Sequence, residues 1–535
     1  MNAADTAWVL VGAALVMFMT PGLALFYGGM LRSKSVLNTM ALTIGCLGVI
    51  SVIWVAFGFS LAFGPDHTGG FIGDFSQSGL NSLASALTKA PGHHIPVFAL
   101  ASFQLMFAII TVALLAGACA ERTRFWPFLV FAALWVTIVY IPLAHWIFDP
   151  SGWLSRTLHV DDFAGGTAVE ANSGAAALAV AAVVGKRIGW PREQARPHNL
   201  PMVMLGAGVL WFGWFGFNAG SALAADGLAA TAFLNTMLAG GTGMLGWLLV
   251  EQKRDGKPTT LGAASGAVAG LVGITPACGF VEPLAGAAVG LIAGVVCALA
   301  VTLKYRFGYD DSLDVVAVHG VGGVTGLILT GLFAAAAANP ATRNGLLYGG
   351  GFTQLDHQVI AVVVTVAYSG LLTLGLAWAV QKTIGLRAER DDELMGLDEA
   401  QHAETAYDHG RLSPRLATPH AASPRHDASG RTAFLEDAAT AERPRRPLPS
   451  LLRLPGEHLP VPDGRGRRPR PARRGGPGRR GVRGQRRHRR LAHRAPDELR
   501  LPRAARPPGL RRRGPPRPPV RGVLAARPRP HPGHG

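Results

Sequence analysis

The sequence predicts an all-α polytopic membrane protein, with eleven transmembrane helices in two pseudo-symmetric inverted halves plus a last helix. Three observations carry that prediction. The chain has 535 residues, 49% of them hydrophobic, at a mean hydropathy of +0.26. Apolar stretches recur as far as about residue 383, each close to the roughly 20 residues a helix needs to cross a bilayer. Charge is kept out of those stretches: residues 1–390 hold 19 Lys+Arg and 18 Asp+Glu, nearly all of them between the apolar runs.

The spans read, in order, 7–31, 40–63, 97–119, 125–147, 163–185, 201–222, 232–250, 259–278, 283–303, 315–336 and 358–381. They are rich in Gly, Ala and Ser, which let helix backbones approach closely in lipid. No basic stretch precedes the first span, so a cleaved leader is not expected and that span is retained. Loops after odd-numbered spans carry thirteen basic residues, Arg32, Lys34, Arg122, Arg124, Lys186, Arg187, Arg192, Arg196, Lys253, Arg254, Lys257, Lys304 and Arg306. Loops after even-numbered spans carry three, Lys89, Arg156 and Arg343. Positive charge stays on the cytoplasmic side, which puts the N-terminus outside and the C-terminus in the cytoplasm of a multi-pass protein of the inner (plasma) membrane.

An odd number of spans allows spans one to five and six to ten to be related halves of opposite topology. Span five opens after Asp162 and span ten after Asp314, and each Asp suits a helix N-cap. Each span then carries one titratable residue, Glu170 eight residues in and His319 five residues in. At the helical rise this is about 12 and about 8 Å of depth. Cys46, Cys119, Cys278 and Cys297 lie within or at the ends of spans, without metal-type or disulfide spacing, and read as small packing residues.

The organisation is 1–383 transmembrane, 384–409 a C-terminal segment on the cytoplasmic side, and 410–535 a tail of different character. Residues 391–535 hold 32 Arg and 15 Asp+Glu, with no Lys. RRPRPARRGGPGRRGVRGQRRHRR (467–490) has no apolar periodicity and cannot build a core. Two readings of 410–535 stay open: a disordered arm that binds nucleic acid or acidic lipid, or a GC-rich gene read in a wrong frame or past its natural end.

An ionisable residue at bilayer depth costs roughly 2.5–3.5 kcal/mol on insertion scales and is by default functional. Glu170 and His319 therefore read as a pore pair able to share a proton, against the plainer reading of neutral side chains bonded to a neighbouring helix. FQLMF (103–107) puts Phe103 and Phe107 on one helix face, and GWFGFNAGS (213–221) adds Trp214, Phe217 and Ser221. They read either as core aromatics or as a cation-attracting surface, with Ser221 an oxygen acceptor and two rings closing a pore. No nucleophile–base pair, metal cluster or phosphate loop is found outside the spans, so an enzyme is not expected and no cofactor is called for.

Several long motifs in order sharpen this. FMTPGLALFYGG (18–29), YIPLAHW (140–146), DFAGGTAVEANSGAAAL (162–178), RPHNLPM (196–202), GWFGFNAGS (213–221), SGAVAGLVGITPACGFVEPLAGAAVG (265–290), DVVAVHGVGG (314–323) and IGLRAERDDELMGLDEAQHAETAY (384–407) together resemble the ammonium transporter family (Amt/Mep/Rh), from about residue 7 to 409. The resemblance implies eleven helices in two related halves and a homotrimer with one pore per subunit. It also implies ammonium as substrate and a P-II-type nitrogen regulatory protein as partner at the cytoplasmic face. Phe107 and Phe217 match the family's stacked gate rings. Phe103, Phe148 and Ser221 match its outer recruitment site, and Asp162 an Asp that supports this site indirectly. Trp214 and Tyr140 match further pore-region aromatics, and His319 the second of twin pore histidines.

Two departures stand out. Glu170 replaces the first twin histidine, as in some fungal Mep transporters, and Phe148 stands where most members have Trp. Trp146 and Trp153 lie close by in the sequence. The resemblance leaves two alternatives open: an ammonium sensor signalling to a P-II-type protein, and a neutral Rh-type gas channel.

Overall fold

The computed structural model describes residues 1–88, 94–193 and 196–407, all within one compact unit. The tail 410–535 lies outside the described residues, as do Lys89 and the last two residues of the 384–409 segment. The main helices are α1 Ala3–Met30, α2 Val36–Phe63, α3 Val97–Ala118, α4 125–148, α5 Gly166–Val184, α6 Leu200–Gly220, α7 Gly227–Arg254, α8 Thr260–Ile274, α9 Pro283–Ala300, α10 Val316–Phe333 and α11 Thr353–Thr383. Ten of these eleven stretches fall in helical segments long and apolar enough to cross a membrane. The exception is α8, whose 15 residues rise only about 22 Å. Among the described residues there are no strands, only isolated bridges such as Thr123 with Arg387.

Four helix starts follow polar residues that answer the unpaired N–H groups of the first turn. Asn2 accepts from Ala4 and Asp5, Asn199 from Met202, Asp226 from Leu228 and Ala229, and Thr259 from Gly262. The early end of α8 has a physical cause too. The chain turns through a buried stretch containing Pro276, where an irregular backbone needs side-chain partners away from lipid. Asn235 of α7 supplies them, donating to the carbonyls of Cys278 and Val281, both at 2.8 Å. The four cysteines are free and buried, as packing residues would be.

α1 runs along α6, α7 along α8 and α9, and α5 along α11. The outer faces of the bundle carry apolar side chains, among them Val52 (70% exposed) on α2 and Leu371 (71%) on α11, as a lipid-facing surface requires.

The two halves meet where α5 crosses α10. A Cβ on Gly174 would fall 2.0 Å from the Cα of Gly320, and a Cβ on Gly323 would fall 2.8 Å from the amide nitrogen of Ala171. Gly174 with Gly320 and Gly323 with Ala171 are one contact repeated at a constant offset of 149 residues, and Glu170 and His319 share that offset. The crossing is therefore pseudo-symmetric about the pair.

One expectation is corrected. Asp314 does not cap α10. It sits at φ +61° and forms an ion pair with Lys304 at 2.7 Å. The cap is Asp311, whose carboxylate accepts from the amide of Val316 at 2.7 Å. Asp162 and Asp311 each precede their pore residue by eight positions, so the halves match more closely than the sequence spacing indicated. The loop before α10 folds back to bring Asp311, three residues farther upstream, under the first turn.

Candidate functional site

α5 and α10 both begin with a π-helical turn, Gly166–Ala171 and Val316–Val321, and the two titratable residues sit in these turns. A π-turn widens the helix by one residue and recurs at functional sites. Glu170 and His319 meet there, with His319 Nδ1 2.7 Å from Glu170 Oε2. Both are buried, 1% and 5% exposed. Asp162 anchors the first turn: one carboxylate oxygen accepts from the amides of Gly165 and Gly166, and the other from the amide and hydroxyl of Thr167. Its carboxylate is thus committed to holding the helix start.

On the side of this pair away from the 384–407 segment, Phe107 and Phe217 stack with centroids 4.2 Å apart and ring planes 21° apart. That is ring-on-ring contact, so the constriction is closed. Phe103 packs on Phe107 at 4.9 Å and is fully buried. Phe148 meets Phe107 edge-on at 6.1 Å and is half-buried. Ser221, also half-buried, donates its hydroxyl proton to the Phe217 carbonyl at 2.8 Å, which leaves its oxygen lone pairs as acceptors. Trp146 and Trp153 do not join this group. Both pack on Phe71, and the Trp146 indole donates to the Phe71 carbonyl. Trp214 packs against Phe217 and donates to Thr275 Oγ1 at 3.0 Å. Tyr140 is fully buried in the π-turn of α4 and does not line the cavities below the rings.

Below the rings a first cavity is walled by apolar side chains such as Leu23, Ile110 and Leu210, with Glu170 and His319 at its floor. It leaves about 20 Å³ for the centres of water-sized molecules, close to the room one water needs. A second cavity, with about 160 Å³ of such room, begins at His319 and is bordered by Glu251, Arg254 and Asp314. Glu170 faces only the first cavity, whereas His319 borders both. A third, of about 220 Å³, shares Met30, Leu261, Leu313 and Asp314 with the second and extends to Trp190 and Lys304. A closed ring pair, a narrow apolar chamber, a hydrogen-bonded Glu–His pair and two wider cavities bordered by charged side chains therefore follow one another.

Comparison with known proteins decides the family. The model of the Ammonium Transporter Family matches residues 7–407. The chain belongs to that family. It is 52% identical over 442 residues to the ammonium transporter of Mycobacterium tuberculosis (strain H37Rv), covering 78% of this chain and 92% of the relative. It is 45% identical over 411 residues to the ammonium transporter of Bacillus subtilis, covering 76% and 99%. Among solved structures, Mep2 of Saccharomyces cerevisiae is similar at 35% identity and a TM-score of 0.68, covering 73% of this chain and 91% of that one. A sensor Amt protein is similar at 30% identity and a TM-score of 0.67, covering 75% and 98%.

In this member of the ammonium transporter family, the far end of the bundle holds a second polar cluster that sequence reasoning missed. Glu121, with its side chain fully buried, pairs with Arg32 and Arg187, each at 2.9 Å, and Arg187 pairs with Asp310 at 2.8 Å. Burial pushes the Glu121 carboxyl up, but Arg187 and Arg32 outweigh it and hold the group below its ordinary value. The 384–407 segment packs over this cluster through two short helices, α12 Arg390–Met395 and α13 Leu397–His402. Glu393 accepts from the amide of Ile188 and from Arg387, and Asp398 accepts from the amide of Asn38. In the sequence these residues registered only as loop charges, because nothing in their spacing shows that four loops converge.

Proposed function

We propose that this chain carries ammonium across the inner (plasma) membrane, with the N-terminus outside and the 384–407 segment in the cytoplasm. The observation that supports it most is the 2.7 Å Glu170–His319 contact at the junction of two cavities beneath a closed aromatic constriction. Ammonium arrives at the half-buried Phe148 face, beside Phe103, where ring quadrupoles attract a cation and Ser221 offers an acceptor. Asp162 acts on this path only through the helix start it holds. The first cavity is apolar and holds about one small molecule, so an intact cation is costly there and neutral ammonia is not. The proton left behind passes from Glu170 to His319, the one titratable side chain among the described residues that lines both cavities, and leaves through the polar exit. Potassium has no proton to shed and is excluded on that ground. Net transport is one charge per ammonium.

Phe217→Ala opens the constriction and removes one of its two stacked rings. We expect changed methylammonium flux or weakened rejection of potassium in reconstituted vesicles; if both match the parent, the ring pair is packing alone. The proposed assembly is a homotrimer with one pore per subunit. The likeness to a sensor Amt protein and the folded 384–407 segment favour a second role, reporting ammonium to a P-II-type regulatory protein on the cytoplasmic face. Vesicle uptake separates the two: substrate binding without flux favours a sensor.

A further inference from the structure

The acceptor Ser221 lies in a turn, not on a regular helix. It follows the last residue of α6, its amide bonds to Asn218 O, and the chain then winds through Leu223 at φ +55°. A side chain in such a turn points where the turn is held, and two side chains of α1 hold it. The indole of Trp8 donates to the carbonyl of Ala219 at 3.0 Å, and the carboxylate of Asp5 accepts from the amide of Ala225 at 2.9 Å. These anchors fall two residues before Ser221 and four residues after it. Asp5, Trp8 and Gly12 fall on one face of α1 by helical spacing. Gly12 continues the contact: a Cβ there would meet the Phe103 ring at 3.2 Å. The first turns of α1 thus touch both sides of the recruitment group. That end of α1 is itself fixed, since the Asn2 side chain caps it and the Asn2 amide donates to the His94 carbonyl.

We infer that Asp5 and Trp8 are positioning residues that clamp the Ser221 turn and so set the affinity for ammonium at the entrance. This rests on the reading of Ser221 as the ammonium acceptor. Asp5 acts through a hydrogen bond and not through its charge, because Ala225 N–H needs an acceptor that an amide oxygen also supplies. Loss of the clamp lets Ser221 wander without touching the Glu170–His319 pair, so half-saturation rises while the maximal rate holds.

The test is methylammonium uptake by the full chain in vesicles, with half-saturation and maximal rate fitted separately. Asp5→Ala and Trp8→Phe are each expected to raise half-saturation roughly three- to tenfold, the scale of one lost hydrogen bond, with maximal rate within about twofold of the parent. Asp5→Asn is expected to restore the parent value. Asp5→Ala combined with Ser221→Ala is expected to be no worse than Ser221→Ala alone. Asp5→Asn behaving like Asp5→Ala overturns the clamp in favour of charge. Additive effects in the double variant, or parent-like half-saturation in Asp5→Ala and Trp8→Phe while Ser221→Ala is impaired, overturn it as well and leave the Ser221 reading standing. A parent-like Ser221→Ala removes that reading and the clamp with it.

Discussion

Glu170→Ala is expected to lower ammonium-driven current across a reconstituted bilayer by about a hundredfold, the low end of what a positioned proton-transfer group contributes. The reason is geometric. Among the described residues only Glu170 both lines the first cavity and bonds His319 Nδ1, so without it the proton that ammonium leaves behind has one fewer group on its way to the second cavity. Glu170→Gln keeps the size and an oxygen near His319 but cannot titrate, and should be impaired to a similar degree. If it conducts like the parent, the residue serves by shape alone. Glu170→His rebuilds a histidine pair and should conduct, with its pH dependence displaced from that of the parent. Currents of Glu170→Ala equal to the parent's at every pH would remove the relay.

The second large effect is expected at the opposite end of the bundle. Glu121→Gln leaves Arg32 and Arg187 facing a neutral amide. Breaking a buried ion pair by neutralising one partner costs about 3–5 kcal/mol. The lower end applies here, because Arg187 keeps Asp310 and the Arg32 side chain is 31% exposed and reaches water. Thermal unfolding in detergent reads the loss. The pH dependence has a definite sign. A carboxyl held below its ordinary value is protonated first in the unfolded chain as pH falls. Its stabilisation is complete above the ordinary carboxylate pKa of about 4.3 and fades as pH drops through the lower folded value. The parent should therefore lose stability on acidification below about pH 4 more steeply than Glu121→Gln. Parallel curves would mean that Glu121 is not held as an ion in the fold. Weakening this cluster should also loosen the 384–407 segment, because Ile188, next to Arg187, donates its amide to Glu393.

The membrane helices were legible because lipid imposes long uncharged runs, and Glu170 and His319 stood out because charge inside such runs is costly. The structure brings Glu170 to His319 and Phe107 to Phe217, pairs separated by 149 and 110 residues that no local pattern joins. Element edges were less legible. α7 extends over Gly227–Arg254, beyond 232–250, because Asp226 caps it early and Lys253 and Arg254 suit its last turn. α8 stops at Ile274, short of 278, because Asn235 stabilises the turn that follows. The Asp314 cap was misread because an Asp directly before an apolar run looks like a cap, and the fold-back that brings Asp311 into place leaves no local trace. The π-turns carry no signal of their own either: apart from Glu170 and His319, GTAVEA and VAVHGV hold the small and β-branched residues also found in the helices that follow them. The Glu121 cluster stayed hidden because its members come from four separate loops.

The central claim is that ammonia and its proton travel separately and together carry one charge. The most direct measurement records current and labelled methylammonium flux on the same preparation of the parent protein, across the range where histidine titrates, about pH 5 to 8. The account predicts one elementary charge per methylammonium at every pH, with both signals falling together in Glu170→Ala. Substrate flux without current in the parent would contradict it and make the pore a neutral gas channel.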